Sequence, residues 1–397
     1  MQLKTLQNDV IKITIFRNIL HDKTIKKFIN LLNSDFNNKN IFINRYCDFV
    51  YELYNHNIDF SNYLLELVLM DENVYTRMIQ NQVEIQNNIE ETLNNDLRIL
   101  ENLTSFCRNE KVDNLIKSNN LPIILCSKLN FKDLYYNSIL NSSVNGFGIF
   151  SKYHTFIYKD KQIQAIKNND PISLDNLIGY ESERDLVIKN TLAFISGKKA
   201  NNTLLYGDAG TGKSSTVKAI INKYYNRGIR LIEIKTQQID ELDDVIEIIA
   251  NNPLKFIIFI DDLSFSSNNN NFITLKNILE GGLVSTRNNV LVYATSNRKH
   301  LVKENMKNRD GDELFINDSI QETLSLASRF GLTITFSKPL KKLYFELVTG
   351  IAKENGIPID DDFYLRAEAF AIRNNGRSPR TAKQFIEFES IKTVKII

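Results

Sequence analysis

The chain has 397 residues, 43% of them apolar, with 49 basic and 47 acidic side chains that leave a formal charge of +2. That length exceeds one compact core and makes two or three domains the expectation. The near-neutral balance excludes a global field that recruits nucleic acid or an anionic membrane, so any such binding needs a local patch.

Residues 1 to about 140 carry apolar positions at helical spacing, such as Tyr63, Leu64, Leu67 and Val68, then Ile85, Ile89 and Leu93, between Asn-rich breaks. A mainly helical domain is expected over 1–168. Between Val144 and Ile166, aromatic and β-branched residues cluster around Asn145-Gly146, which predicts a short β element or hairpin near 145–160. NDPISLDNLIGY, Asn169 to Tyr180, has the punctuation of a linker into a second domain, expected over 169–338. Short apolar runs follow, alternating with helical patterns: TLLY at 203–206, RLIEI at 230–234, FIIFI at 256–260, VLVYAT at 290–295 and LTITF at 332–336. Near-continuous hydrophobicity suits strands covered on both faces, so the core is read as a parallel α/β sheet with helices on both sides. The tract SSNNNN at 266–271 is read as a loop. Beyond Pro339 the pattern is helical again, giving a third unit over 339–397.

No apolar run approaches the ~18 residues of a spanning helix, so no membrane association is expected. Cys47, Cys107 and Cys126 are odd in number and in no CxxC spacing. This argues against a disulfide framework or a zinc site and fits a reducing cytoplasm.

Gly207, Asp208, Ala209, Gly210, Thr211, Gly212, Lys213 and Ser214 satisfy G-x-x-x-x-G-K-[ST], with Ser215 beside them. Backbone N–H groups of such a loop curl around phosphates, and the positive end of the following helix adds to their field. Lys213 would contact the β- and γ-phosphates, and the Ser214 hydroxyl would bind Mg²⁺. The motif lies between an apolar run and a helical pattern, which is the context this chemistry requires. FIIFIDDLSF, Phe256 to Phe265, then sets Asp261 and Asp262 at the end of a buried strand. In an open α/β sheet ligands sit at that edge. Asp261 is the candidate Mg²⁺ ligand and Asp262 the candidate for polarising a water.

With these motifs in hand, the chain resembles AAA+ ATPases over roughly residues 170–390, a likeness that implies ATP and Mg²⁺ as ligands. It implies that Asn297, in VLVYATSNRKHL, orients the lytic water, and that Arg329, in SLASRFGL, is a finger reaching into a neighbouring subunit of a homo-oligomer. It further implies that Arg380, in GRSPRTAKQFIEF, faces the γ-phosphate from a helical lid, with Arg377 and Lys383 as rivals. Ile178, Gly179 and Tyr180, in DNLIGY, match the segment that packs on adenine. Taken together, GFGIFSKYHTF, DPISLDNLIGYE, NNTLLYGDAGTGKSS, IDDLSF, LEGGL, YATSNRKHL, SRFGL and GRSPRTAKQF resemble a family of bacterial AAA+ ATPases known only as a domain of unknown function.

Two departures bear on function. Many AAA+ proteins carry glutamate where this chain has Asp262, one methylene shorter. The region KTQQIDELDDVIEII, Lys235 to Ile249, holds no aromatic residue and no glycine, which disfavours a protein-threading pore loop and reads as an amphipathic helix with an acidic outer face. The leading expectation is a cytoplasmic ATPase that remodels or regulates an unknown protein client through its N-terminal domain. Two alternatives stay open. One is a nucleotide-gated scaffold with little turnover; the other, less favoured, is a DNA-linked helicase-loader-like ATPase using lid cations Arg366, Arg373, Arg377, Arg380 and Lys383.

Overall fold

Asparagine and aspartate side chains set the helix boundaries in the N-terminal part of the chain. Asp22, Asn38, Asp59, Asn109 and Asn130 each accept a hydrogen bond from a backbone N–H in the first turn that follows, and Asn73 forms a reciprocal capping box with Thr76. Each cap satisfies an otherwise unpaired donor and contributes about 1 kcal/mol. The Asn-rich breaks between periodic segments are therefore helix starts.

The computed structural model describes residues 3–263, 270–280, 288–297, 328–374 and 376–392. They form two units, one of residues 1–152 with 251–253, the other of residues 153–250 with 254–397. The first is helical, with Lys23–Leu32, Lys39–Tyr54, Phe60–Met70 and Asn87–Leu103 among its longer helices. Its core is aromatic: the Phe28 ring lies 5.2, 4.6 and 5.2 Å from Phe49, Phe60 and Phe106. Fully buried Asp96 holds the chain near the N-terminus by accepting the N–H groups of Thr14 and Ile15 at 2.8 and 2.6 Å. Burial raises its carboxyl above the ordinary value. The cysteine expectation needs correction, because Cys107 and Cys126 are joined in a disulfide. The hydrogen-bonded passage of residues 122–126 beside Ile58 and Phe60 brings the two Cα atoms to 6.2 Å, a proximity that spacing alone does not reveal. Cys47 is free and exposed.

The expected hairpin exists, but not at Asn145-Gly146, which follows a one-turn helix, Ser142–Asn145. It joins β1 (Thr155–Lys159) to β2 (Gln162–Ala165) through Asp160 and Lys161, with φ of 53° and 59°. Two successive positive φ values match the twist of paired strands. These strands belong to the second unit, so the first unit ends at Lys152 and not at 168.

That second unit is built on a sheet ordered β2-β1-β4-β5-β6-β3-β7, parallel except for β2. The other strands are β3 (Thr203–Gly207), β4 (Ile229–Ile234), β5 (Lys255–Ile260), β6 (Val290–Ser296) and β7 (Leu332–Phe336), one for each apolar run. Ile257 and Phe259 of β5 pack with Val217 and Ile220 of helix Lys213–Tyr224, and Phe256, Ile258 and Ile260 on the opposite face are equally buried. Burial on both faces is why these strands show no alternation. Helix Leu242–Ile249 buries Leu242, Val245, Ile246 and Ile249 and exposes Asp243, Asp244 and Glu247, the acidic outer face expected.

Helices Lys341–Glu354, Phe363–Arg373 and Pro379–Lys392 share a smaller core of Tyr344, Leu347, Val348, Phe363, Phe385 and Ile386. Residues 264–269, which include most of the Asn-rich tract, and 281–283 of LEGGL lie outside the described residues. Among the described residues no helix is long and apolar enough to cross a membrane.

Candidate functional site

Parallel strands end at one edge, and the sheet order decides what meets there. β3 lies between β6 and β7, and β5 lies on the other side of β6. Register pairs Tyr206 with Ser296, Ile260 with Ala294 and Gly207 with Phe336. The glycine loop after β3, the two aspartates after β5 and Asn297 after β6 are therefore neighbours, although they are spread over 90 residues from Gly207 to Asn297. Gly207 approaches β7 so closely that a Cβ there would overlap the Phe336 carbonyl, which is why this position takes only glycine. The loop runs into helix Lys213–Tyr224, whose N-cap is Gly212.

Side chains at this edge form one connected set. Ser214 Oγ donates to Asp261 Oδ1 at 2.6 Å, and Thr295 Oγ1 donates to the same oxygen at 2.5 Å. The Asp262 N–H donates to Thr295 Oγ1 at 2.9 Å. Asn297 bridges outward: its Nδ2 donates to Asp262 Oδ1 at 2.6 Å, and its Oδ1 accepts from Lys213 Nζ at 3.0 Å. Lys213 Nζ also donates to the Gly207 and Asp208 carbonyls at 3.0 and 2.7 Å. Lys213 is only 5% exposed, and among the described residues its hydrogen bonds go to the Gly207 and Asp208 carbonyls and the Asn297 amide oxygen, none of them a carboxylate. Burial lowers its pKa, against the pull of Asp208, Asp262 and Asp261. A buried cation whose hydrogen bonds go to neutral oxygens, with carboxylates nearby but not paired to it, accommodates a further anion beside it.

These residues line a cavity of about 850 Å³, within the range of small-molecule sites. Its walls include Ile178 and Tyr180, residues 209–215, Asp261, Asp262, Asn297 and, from the lid, Arg380 and Lys383. Arg377 is instead held by Glu368, its Nε donating at 3.0 and 3.1 Å, so of the three lid cations weighed for the γ-phosphate two reach the cavity. The N–H of Arg380 donates to the Gly210 carbonyl at 3.2 Å, which seats the lid helix directly on the loop. The Tyr180 hydroxyl, pushed up to about 12 by burial, donates to the Ser337 carbonyl at 2.6 Å.

Four expected site residues stand back from the wall. Gly179 lies behind it, with its carbonyl held by Arg184 Nη1. Gly207 packs on β7 as described. The Asp208 carboxylate accepts the Lys338 N–H at 2.9 Å, tying the loop to the link between β7 and the lid. Arg329 precedes β7 at the opposite edge of the sheet, since Leu332 pairs with Thr203 at the start of β3. Sequence reading also missed parts of the site. Thr295 was unremarked, Leu347 and Ile351 supply an apolar lid wall, and Asn222 Nδ2 holds the wall segment by donating to the Asp170 and Ile172 carbonyls at 2.8 Å each.

The donor set suits a divalent cation of the Mg²⁺ kind. Ser214 and Asp261 offer oxygen ligands side by side, and Mg²⁺ takes few protein ligands because water and substrate phosphates fill the rest of its shell. Among the described residues no group of three or more His, Cys, Asp or Glu is placed to hold a metal unaided.

A family model described as "Protein of unknown function (DUF815)" matches residues 151–391. The chain belongs to that family. The match begins next to Tyr153, where the second unit starts, so the helical first unit lies outside it. No curated protein matches the sequence significantly. Among solved structures, the chain is similar to the RuvB Holliday junction branch migration motor of Thermotoga maritima, at 20% identity and a TM-score of 0.37 over 57% of this chain and 68% of that one. It is also similar to the Orc1 protein of Aeropyrum pernix in complex with DNA, at 16% identity and a TM-score of 0.41 over 54% and 60%.

Proposed function

We propose that this member of the DUF815 family is a Mg²⁺-dependent ATPase of the AAA+ type. The observation that carries the reading is the hydrogen-bonded set Ser214–Asp261–Thr295–Asp262–Asn297–Lys213 on the floor of the cavity. Backbone N–H groups of residues 208–214 and the Lys213 ammonium hold the phosphates, and Ser214 with Asp261 holds Mg²⁺. When bound, the ion neutralises charge on the phosphate oxygens. Asp262 polarises the attacking water, Asn297 fixes Asp262, and Arg380 meets the γ-phosphate from the lid. Ile178, Tyr180 and the apolar lid wall enclose the base. Arg329 completes the site of a neighbouring copy in a homo-oligomer, and the N-terminal unit engages a protein client.

Lys213→Ala is expected to weaken ATP binding about 10- to 100-fold, the loss of roughly 1.5–3 kcal/mol that a hydrogen bond to a charged group supplies. Calorimetric titration checks it, and wild-type affinity in the variant would remove the site assignment.

A second reading, a nucleotide-gated scaffold with little turnover, draws on Asp262, whose reach is one methylene shorter than that of glutamate. DNA-linked action, the other alternative, would rest on the lid cations that are not ion-paired. Arg366 is bound by Asp360 and Glu389, and Arg377 by Glu368, so two of the five cations weighed for it are neutralised within the protein.

A further inference from the structure

Asp262 is one of few non-glycine residues here with a left-handed backbone, at φ 55°. Aspartate is among the few non-glycine residues that reach this conformation, and local hydrogen bonds hold it there. The enforcing group is Thr295 on β6. Its hydroxyl accepts the Asp262 N–H at 2.9 Å and donates to Asp261 Oδ1 at 2.5 Å, while its carbonyl accepts the Leu263 N–H at 2.7 Å. One side chain therefore sets the turn that carries both carboxylates.

Only a hydroxyl can accept one hydrogen bond and donate another through a single atom. A β-branched residue also suits the fully buried strand it occupies, where Thr295 is 2% exposed. Its single donor is spent on Asp261 and one acceptor position on the Asp262 N–H, so its bonds go to the turn that carries the two carboxylates. What it does is fix the angle between the carboxylate beside Ser214 and the carboxylate beside Asn297. With an aspartate in the second position, side-chain reach is short, and backbone placement must supply the rest.

We propose that Thr295 is the positioning residue that sets the reach of Asp262 toward the water, by holding Asp262 in the left-handed conformation and locking it to Asp261. This rests on reading the cavity as an ATPase site. A misplacement of 1 Å costs about 100-fold in rate, so Thr295→Val, isosteric but unable to hydrogen-bond, is expected to lower kcat 10- to 100-fold. KM and calorimetric affinity for ATP should change less than threefold, because the hydrogen bonds of Thr295 go to residues 261–263 and Ser214 keeps its own bond to Asp261. Thr295→Ser, which restores the hydroxyl, should return kcat to within about threefold of wild type.

The deciding measurement is a double-mutant cycle. In an Asp262→Asn background, Thr295→Val should lower the residual single-turnover rate less than threefold, since the group it positions is already disabled. Equal factors in the two backgrounds, or wild-type turnover by Thr295→Val, would overturn the inference. If Thr295→Val does not yield folded protein, Thr295→Ala provides the same comparison. A wild-type chain that binds ATP without turnover would overturn the ATPase reading and this inference together. Turnover that is indifferent to the Thr295 hydroxyl would overturn this inference alone.

Discussion

Asp262→Asn is expected to lower single-turnover ATP hydrolysis by about 10²–10⁴-fold, the usual contribution of a general base, with ATP affinity kept within an order of magnitude. The substitution is nearly isosteric, and the Asp262 N–H still bonds to Thr295, so the turn after β5 keeps its form. What is lost is the negative oxygen that accepts from Asn297 at 2.6 Å. An amide oxygen in its place can still accept from Asn297 but is too weak a base to take a proton from water. Rapid-quench measurement with enzyme in excess over ATP separates this effect from product release. Undiminished hydrolysis would exclude Asp262 from the chemistry, whereas a negligible rate in the wild-type chain would favour the scaffold reading; a trapped ATP-bound form of the variant would be a reagent for capturing the client.

The contrast between what could and could not be read from the sequence has physical causes. β4, β5 and β6 announce themselves as unbroken apolar runs because both their faces are buried. The glycine loop is legible because the proposed chemistry requires glycine and lysine at fixed spacing, and the structure brings Asp261 and Asn297, picked out by their order along the chain, to its side. The hairpin turn was misplaced because Asp160-Lys161 adopts a conformation usually signalled by Asn-Gly. Thr295 was missed because a threonine in an apolar strand is indistinguishable, as sequence, from one chosen for β propensity. The choice among lid cations depended on Glu368, a residue on a different helix from Arg380 that removes Arg377 from contention. The lid wall of the cavity includes aliphatic carbon of Leu347 and Ile351, and such contacts leave no motif.

Arg329→Ala is expected to lower steady-state ATPase activity by about 10³-fold or more, the scale of a finger supplied in trans, and to abolish any rise in specific activity with protein concentration. The argument is geometric. Register sets Leu332 beside Thr203 and Phe336 beside Gly207, so Arg329 sits beyond the amino end of β7 while the cavity lies at its carboxyl end. Five strand residues at roughly 3.3 Å each separate the two, a span longer than an arginine side chain, and Arg329 is no part of the cavity wall. Its guanidinium is therefore out of reach of its own chain's cavity; on the proposed reading it acts at another copy's site, where it would meet charge developing on the transferred phosphoryl group. Mixing provides the strictest check. An Asp262→Asn chain has a disabled site but an intact finger, and an Arg329→Ala chain has the reverse. Combined, they should form some interfaces in which an intact site receives an intact finger, so the mixture should exceed the sum of its parts by tenfold or more. If the mixture shows only the sum, Arg329 does not act between subunits; if Arg329→Ala alone retains full activity, the site is complete within one chain.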